Sequence, residues 1–287
     1  MLKVGLSMGV TSISEAYFQN CRKTGISNIE VSVGNVKNEP DVNYKAVQEY
    51  AKNYEVNLWS YHLPFVPFEM VDISALDKQL QNRSVDYLGE IIRKAADIGI
   101  DKYVIHPSGE PIAQEERYEK MQRAKESLAK LAQVAAECGG VIAVEDLPRT
   151  CLGRDSDDIL ELLSADERLR VCFDTNHLLK ENLVDFVHKV GHKIITTHIS
   201  DYDFIKERHW LPGEGKIDWP SLIGALKEVG YHGVWLYEIG FKCPNSIIRD
   251  RDLTHEDFVR NAAELFAGKA PTIFATHLPE LGMWPTK

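Results

Sequence analysis

The chain has 287 residues, 44% of them hydrophobic and 26% charged. That balance supports a large buried core, and the length suits a single α/β barrel. Lys and Arg number 33 against 43 Asp and Glu, a formal net charge of −10, which argues against nucleic acid as the main partner because phosphate binding needs a basic face.

Short β-branched or aromatic apolar runs alternate with longer amphipathic stretches along the whole chain. The run LKVGLS (2–7) reads as a strand and 12–24 as a helix. NIEVSV (28–33) is followed by a helix over 43–54, and VNLWSYHL (56–63) by one over 80–99. KYVIHP (102–107) precedes a helix over 117–139, and VIAVED (141–146) one over 156–165. RVCFDT (170–175), IITTHIS (194–200) and VWLYEIG (234–240) precede helices over 180–190, 219–229 and 254–266. Eight near-continuous apolar strands, each followed by a helix, predict a parallel sheet closed into a single-domain (β/α)8 barrel over residues 1–266. Residues 267–287 form a C-terminal extension, apolar enough to pack on the barrel or on a partner subunit in a homo-oligomer. The five cysteines, Cys21, Cys138, Cys151, Cys172 and Cys243, form no C-x-x-C pair and read as reduced thiols. The opening MLKVGLSMGV lacks a secretory pattern, and no apolar run is long enough to span a bilayer. A cytoplasmic location without membrane association is therefore expected.

The chemistry of such barrels sits at the C-terminal ends of the strands. There the third to eighth strands carry His62, His106, Glu145, Asp174, His198 and Glu238. Polar loops are required at that mouth, but metal-capable side chains at six successive strand ends are not. Glu145 and Glu238 sit inside strongly apolar runs, and a buried carboxylate without a partner is costly. A metal, a cation or a substrate hydroxyl would satisfy them. Asp174 and His198 follow the same logic, and His177, three residues beyond Asp174, can face the same mouth. For His62 and His106 a ligand role competes with substrate contact or plain structure. His188, His192, His232, His255 and His277 have no such placement and read as surface or structural.

The segment THISDYDFIKERHWLPGEGKIDW (197–219) reads as a lid that follows the His198 strand. Gly213 and Gly215 permit tight turns, and Asp218 before Trp219 is a plausible helix cap. His209 and Trp210 can reach over the mouth. Trp59, Phe65, Phe68 and Tyr202 are further aromatics with which a sugar's C–H face can be covered.

The motifs HPSGE (106–110), VEDLP (144–148), FDTNH (173–177), THISDYD (197–203), HWLPGEGKIDW (209–219) and YEI (237–239) resemble the xylose-isomerase-like TIM-barrel superfamily. That superfamily contains sugar phosphate isomerases and epimerases, inosose dehydratases and endonuclease IV, and the resemblance runs through about Phe266. In its tagatose-epimerase-like branch the resemblance implies one divalent metal held by Glu145, Asp174, His198 and Glu238, with His177 on the substrate. In the endonuclease IV branch it implies a trinuclear zinc cluster that also recruits His62, His106, His177 and His209, plus an aspartate two residues before the last. Glu207 occupies that aspartate position, so Glu207 and His209 are possible extra metal ligands whose reach differs from the family's.

Three oxygen ligands and one nitrogen suit Mn²⁺, Mg²⁺, Co²⁺ or Zn²⁺. Such a site suits proton abstraction next to a carbonyl through a metal-stabilised enediolate, with Glu145 and Glu238 as the proton-transfer pair. The expected activity is that of a carbohydrate isomerase or epimerase with a small-molecule substrate, contacted by His62, His106, His177, His209 and Trp210. A lyase or dehydratase on a keto-sugar or keto-inositol is the alternative, and an endonuclease IV-like repair nuclease the less expected one.

Overall fold

A computed structural model describes residues 3–277. Eight parallel strands, β1 (Val4–Gly9), β2 (Asn28–Ser32), β3 (Asn57–His62), β4 (Lys102–Ile105), β5 (Val141–Glu145), β6 (Arg170–Asp174), β7 (Ile194–His198) and β8 (Trp235–Tyr237), pair in the order β7-β6-β5-β4-β3-β2-β1-β8. The ends of that sheet meet through a parallel bridge between Ile199 and Tyr237, where Ile199 N donates to Leu236 O at 2.8 Å and Glu238 N donates to Ile199 O at 3.2 Å. The result is the expected (β/α)8 barrel. No described helix is long and apolar enough to cross a membrane.

Its helices are α1 (Glu15–Thr24), α2 (Tyr44–Asn53), α3 (Lys78–Asp97), α4 (Arg117–Glu137), α5 (Ser156–Leu163), α6 (Leu183–Val190), α7 (Trp219–Glu228) and α8 (His255–Phe266). The starts of α1, α3 and α6 differ from the apolar periodicity because side-chain caps set them. Ser14 Oγ accepts from Tyr17 N and begins α1 later than expected, as Asn182 does for α6. Asp77 begins α3 earlier, accepting from Gln79 N at 2.8 Å. Asp218 caps α7 as expected, through Ser221 N and Oγ.

A strand alternates its side chains between two faces, and that alternation decides what reaches the mouth. Tyr103, Ile105, Ile142, Val144, Val171 and Phe173 face the helices and join the main core. Val104, Ala143 and Cys172 face inward and form a separate small cluster with Ile195. Two residues further along the same strands, on that inward face, stand His106, Glu145 and Asp174.

The loop between β7 and α7 is held by one buried aspartate. The Asp201 carboxylate accepts from Tyr202 N (2.8 Å), Gly213 N (2.8 Å), Ile217 N (3.2 Å) and Trp219 Nε1 (2.9 Å). Gly213 has φ +97, where a side chain is strained, and a Cβ on Gly215 would collide with Asp201 Oδ1 and Tyr202 O. The loop is stapled outward as well. Arg249 Nε and a terminal guanidinium nitrogen donate to the Glu214 carboxylate at 3.0 and 2.6 Å, both groups fully buried. Arg249 belongs to a short strand, β9 (Ile248–Arg249), which pairs antiparallel with β10 (Ala275–His277). The C-terminal extension thus returns to the barrel beside the lid, with Phe274 N donating to Glu214 Oε1 at 3.3 Å. Its last ten residues, 278–287, lie outside the described residues, and β9 and β10 were not expected from the sequence because each is only two or three residues long.

The two kinds of glycine give a paired prediction. Gly215→Ala should destabilise the protein by about 1–3 kcal/mol, since the methyl must displace buried backbone and carboxylate. Gly224, inside α7 with nothing within 4 Å of an added Cβ, should gain about 0.5–1 kcal/mol as Ala. Urea unfolding of both variants checks this, and equal effects of one sign would contradict it.

Candidate functional site

Four side chains from the ends of β5 to β8 converge. Ligand atoms of Glu145, Asp174, His198 and Glu238 all lie within 4.8 Å of one another. His198 Nδ1 is 3.0 Å from Glu145 Oε1, 3.5 Å from Glu238 Oε2 and 3.8 Å from Asp174 Oδ2. That spread matches atoms arranged around a small ion with bonds of about 2.0–2.2 Å. Asp174 supplies the clearest test of fit. Its Oδ1 accepts from Asn176 N at 2.6 Å, but the buried Oδ2 has no hydrogen-bond partner. Burial, with the charges of Glu238 and Glu145 adding to it, pushes this carboxyl up to about 7. His177 Nδ1 and His198 Nδ1 stand 3.6 and 3.8 Å from that oxygen without hydrogen-bonding it, and a buried carboxylate oxygen with no hydrogen bond is stabilised by a cation, so the residues present fit a divalent metal.

His198 is oriented by a residue that the strand-end reading missed. Glu30, fully buried in β2, is 2.9 Å from His198 Nε2 and also accepts from Ser7 Oγ at 2.8 Å and Ser60 Oγ at 2.7 Å. Burial alone would raise Glu30, but the His198 imidazole outweighs it and holds the carboxyl below its usual range. Between the two carboxylates the imidazole is held protonated; with Nε2 donating to Glu30, loss of the Nδ1 proton would leave a lone pair for a metal, the arrangement that fixes a metal-binding imidazole. The signal was present in NIEVSV: a glutamate within an apolar strand run, as at Glu145.

Glu145 is the most heavily partnered member. Besides His198 on Oε1, its Oε2 is 3.1 Å from His62 Nε2 and 3.2 Å from His106 Nε2. Its burial would raise the carboxyl, yet the imidazoles of His198 and His106 hold it well below the usual range. In return His62, despite burial, is lifted by Glu145 to about 9, whereas burial keeps His106 below its ordinary value. Phe65 stacks on His106 with ring centroids 3.9 Å apart. Glu238 is more open, with a side-chain exposure of 24%, and its nearest cationic partners are His198 Nδ1 at 3.5 Å and His209 Nδ1 at 3.9 Å.

A second group lies on the lid side of the mouth. His177 Nε2 is 3.2 Å and His209 Nε2 is 3.7 Å from Glu207 Oε1, and one ligand atom from each of the three falls within the same 4.8 Å limit. Glu207 thus reaches both histidines. Its other oxygen is taken by Arg149, which also grips Glu110 through Nε at 2.9 Å. Arg149 and His209 both have positive φ, +57 and +50, a backbone region that non-glycine residues occupy where surrounding contacts enforce it. At His209 those contacts include Asn176 Oδ1, which accepts from Arg208 N at 3.0 Å, and the Glu238 carbonyl, 3.1 Å from His209 Nδ1.

These side chains surround a cavity of about 170 Å³ that reaches His62, Phe65, Phe68, His106, His177 and both catalytic candidates, Glu145 and Glu238. Three aromatics expected at the mouth are placed elsewhere. Trp210 is buried, donates its indole N–H to Ser246 Oγ at 3.0 Å and lines neither this cavity nor the larger one beside it. Its backbone pairs with Asp201, so it packs within the β7–α7 loop instead of lining the cavity. Tyr202 is fully buried with its hydroxyl on Leu178 O, and Trp59, near the start of β3, donates to Thr196 Oγ1.

A family model described as a xylose isomerase-like TIM barrel matches residues 18–256. An uncharacterised protein of Methanocaldococcus jannaschii is 26% identical over 201 residues, 67% of this chain and 67% of that protein. A D-psicose 3-epimerase of Enterocloster bolteae is 26% identical over 125 residues, 40% of this chain and 39% of the epimerase. A crystal structure described as a D-tagatose 3-epimerase-like protein superposes with a TM-score of 0.73 at 25% identity, covering 83% of this chain and 91% of that one.

The Glu30–His198 contact predicts a loss confined to metal binding. Glu30→Gln should weaken divalent-ion affinity about 10–100-fold, read by competition with a chelating indicator, while circular dichroism shows the fold intact. Unchanged affinity would mean that Glu30 does not orient the ligand.

Proposed function

The chain belongs to the xylose isomerase-like TIM-barrel family, and we propose that it is a divalent-metal-dependent carbohydrate epimerase or isomerase working by proton abstraction next to a carbonyl. The observation that carries this reading is the buried set Glu145, Asp174, His198 and Glu238, with Asp174 Oδ2 unpartnered. A divalent ion held there would place positive charge beside the substrate's carbonyl oxygen and lower the cost of the negative charge that develops as the α-proton leaves.

The side chains divide the remaining work unequally. Glu238 is the freer carboxylate, with no side-chain partner at ordinary hydrogen-bond distance and access to the cavity. It is assigned as the base that takes the α-proton. Both Glu145 oxygens are engaged, and Oε2 lies within reach of the Nε2 atoms of His62 and His106. Glu145 is assigned as the group that returns a proton, which the His62 imidazole, lifted to about 9, can replenish. Return to the opposite face of the same carbon epimerises, and return to the neighbouring carbon interconverts aldose and ketose. His177 and His209 offer ring nitrogens to substrate hydroxyls, and Phe65 and Phe68 offer apolar cover. The lid excludes water, which strengthens each of these interactions.

One observation favours a second reading. His62 and His106 share one oxygen of Glu145, while His177, Glu207 and His209 gather separately, so three adjoining ligand groups exist on which a multi-ion phosphoester hydrolase could be built. Two facts weigh against it. Arg149 already neutralises Glu207, and the net charge of −10 opposes a polyanionic substrate.

The test is proton exchange in D₂O with fructose, psicose, tagatose, their 6-phosphates and inososes, after metal retention is confirmed. Removing a positioned base costs about 10²–10⁴-fold in rate. Glu238→Gln should lose α-proton exchange to that extent, and Glu145→Gln should retain exchange while failing to complete turnover. If both variants hold metal and turn over at near wild-type rates, the base is not this pair and must be sought at His177, His209 or Glu207.

A further inference from the structure

Glu238 and His209 form a wall shared by two cavities. The first is the cavity of about 170 Å³ at the ligand set. The second, of about 670 Å³ and more open, lies over the ends of β1, β2 and β8, where Gly9, Ser12, Ser32, Gly240, Phe241 and Lys242 line it. Small-molecule sites usually measure about 300–1,000 Å³. The first cavity alone falls short of that range, whereas the second lies within it and borders the first at Glu238 and His209.

Two exposed glycines, Gly9 and Gly240, line the second cavity beside Ser7, Met8 and Ile239. The mouth ends of β3 to β8 present His, Glu or Asp, whereas β1 ends in Gly9, and Gly240 follows β8. A Cβ added to either glycine would meet no heavy atom within 4 Å. Gly9 has φ −58 and ψ 132, which any residue adopts, so its backbone geometry does not demand glycine. Without side chains the backbone admits a ligand closely. One wall is Phe241, held edge-on against Phe258 with centroids 5.5 Å apart. The other lining groups named here are serine hydroxyls, and the basic side chains are Lys242 and, on the shared wall, His209. An aromatic face, hydroxyls and exposed backbone suit the C–H face and hydroxyls of a sugar ring. One exposed lysine, with His209 already beside the carboxylates of Glu207 and Glu238, does not make a phosphate clamp.

We propose that the substrate is a keto-sugar carrying a second glycosyl ring, with the reacting unit in the first cavity and the second ring over Gly9 and Gly240. This rests on the carbohydrate epimerase or isomerase reading and extends it to the substrate's size. The probes are fructose, fructose 6-phosphate and the glucosyl-fructoses turanose, maltulose and isomaltulose. Their binding to the metal-loaded protein is measured by calorimetry, and their α-proton exchange by mass spectrometry. At least one two-ring ketose should bind about tenfold more tightly than fructose. Gly9→Leu, which fills the second cavity, should bring that ratio to about one, and Gly240→Leu provides an independent filling of the same space.

Two results overturn the proposal: fructose or its 6-phosphate binding as tightly as every two-ring ketose, or both leucine variants, folded by circular dichroism, leaving the ratio unchanged. Absence of α-proton exchange with every ketose in the wild-type protein would instead sink the epimerase or isomerase reading, while the affinity ratios still decide whether a second ring is held.

Discussion

His198 stands between two buried carboxylates, Glu30 on Nε2 at 2.9 Å and Glu145 on Nδ1 at 3.0 Å. Most of the mouth depends on that arrangement. Charges taken out of water must be met by opposite charge or hydrogen bonds. Glu30 is met by His198 and two serine hydroxyls, and Glu145 by three imidazoles, which leaves Asp174 Oδ2 without a hydrogen bond, its nearest imidazole nitrogens 3.6 and 3.8 Å away. The imbalance is local and has a sign: it calls for a cation. The barrel makes it possible because the two-residue period of each strand lifts ligands above a plug of small side chains, Val104, Ala143 and Cys172. With that plug below and the lid above, the polar groups occupy a thin layer with restricted access to water.

The lid depends on a different buried carboxylate. Asp201 closes the loop on itself through four donors, and Glu214 ties it to Arg249 and to the C-terminal strand. The loop is therefore anchored at its base while Glu207 and His209 project from its middle toward His177. The metal-capable cluster in THISDYDFIKERHW divides accordingly. His198 belongs to the ligand set, Asp201 and Asp203 shape the loop, and Glu207 and His209 face the mouth. Asp203 does its part by accepting from Ile205 N at 2.8 Å and Arg208 Nε at 2.8 Å.

The barrel was legible in the sequence because strand and helix periods alternate without interruption and each strand run ends near a turn. The convergence of Glu145, Asp174, His198 and Glu238 was legible for a related reason: a carboxylate within VIAVED or WLYEIG has no cheap place in an apolar run unless something meets it. Glu30 obeys the same rule but lies mid-strand in β2, outside the pattern of metal-capable strand ends. Trp210 shows the opposite failure. Its neighbour His209 faces the mouth, but backbone pairing with Asp201 turns Trp210 inward, and no local pattern announces such a long-range pairing. The caps at Ser14, Asp77 and Asn182 moved helix starts by two or three residues without altering the fold, and the pair of exposed glycines, Gly9 and Gly240, emerges only when β1 and β8 are seen as neighbours.

The central claim is that one ion, in one ligand set, serves the chemistry of this mouth. Its most direct test is an anomalous difference map from crystals grown with Mn²⁺, paired with metal analysis of the purified protein. A single strong peak among Glu145, Asp174, His198 and Glu238, with one equivalent of metal per chain, is the expected result. Three stoichiometric peaks, one shared by His62, His106 and Glu145 and another held by His177, Glu207 and His209, would contradict it and make the multi-ion phosphoesterase the better account.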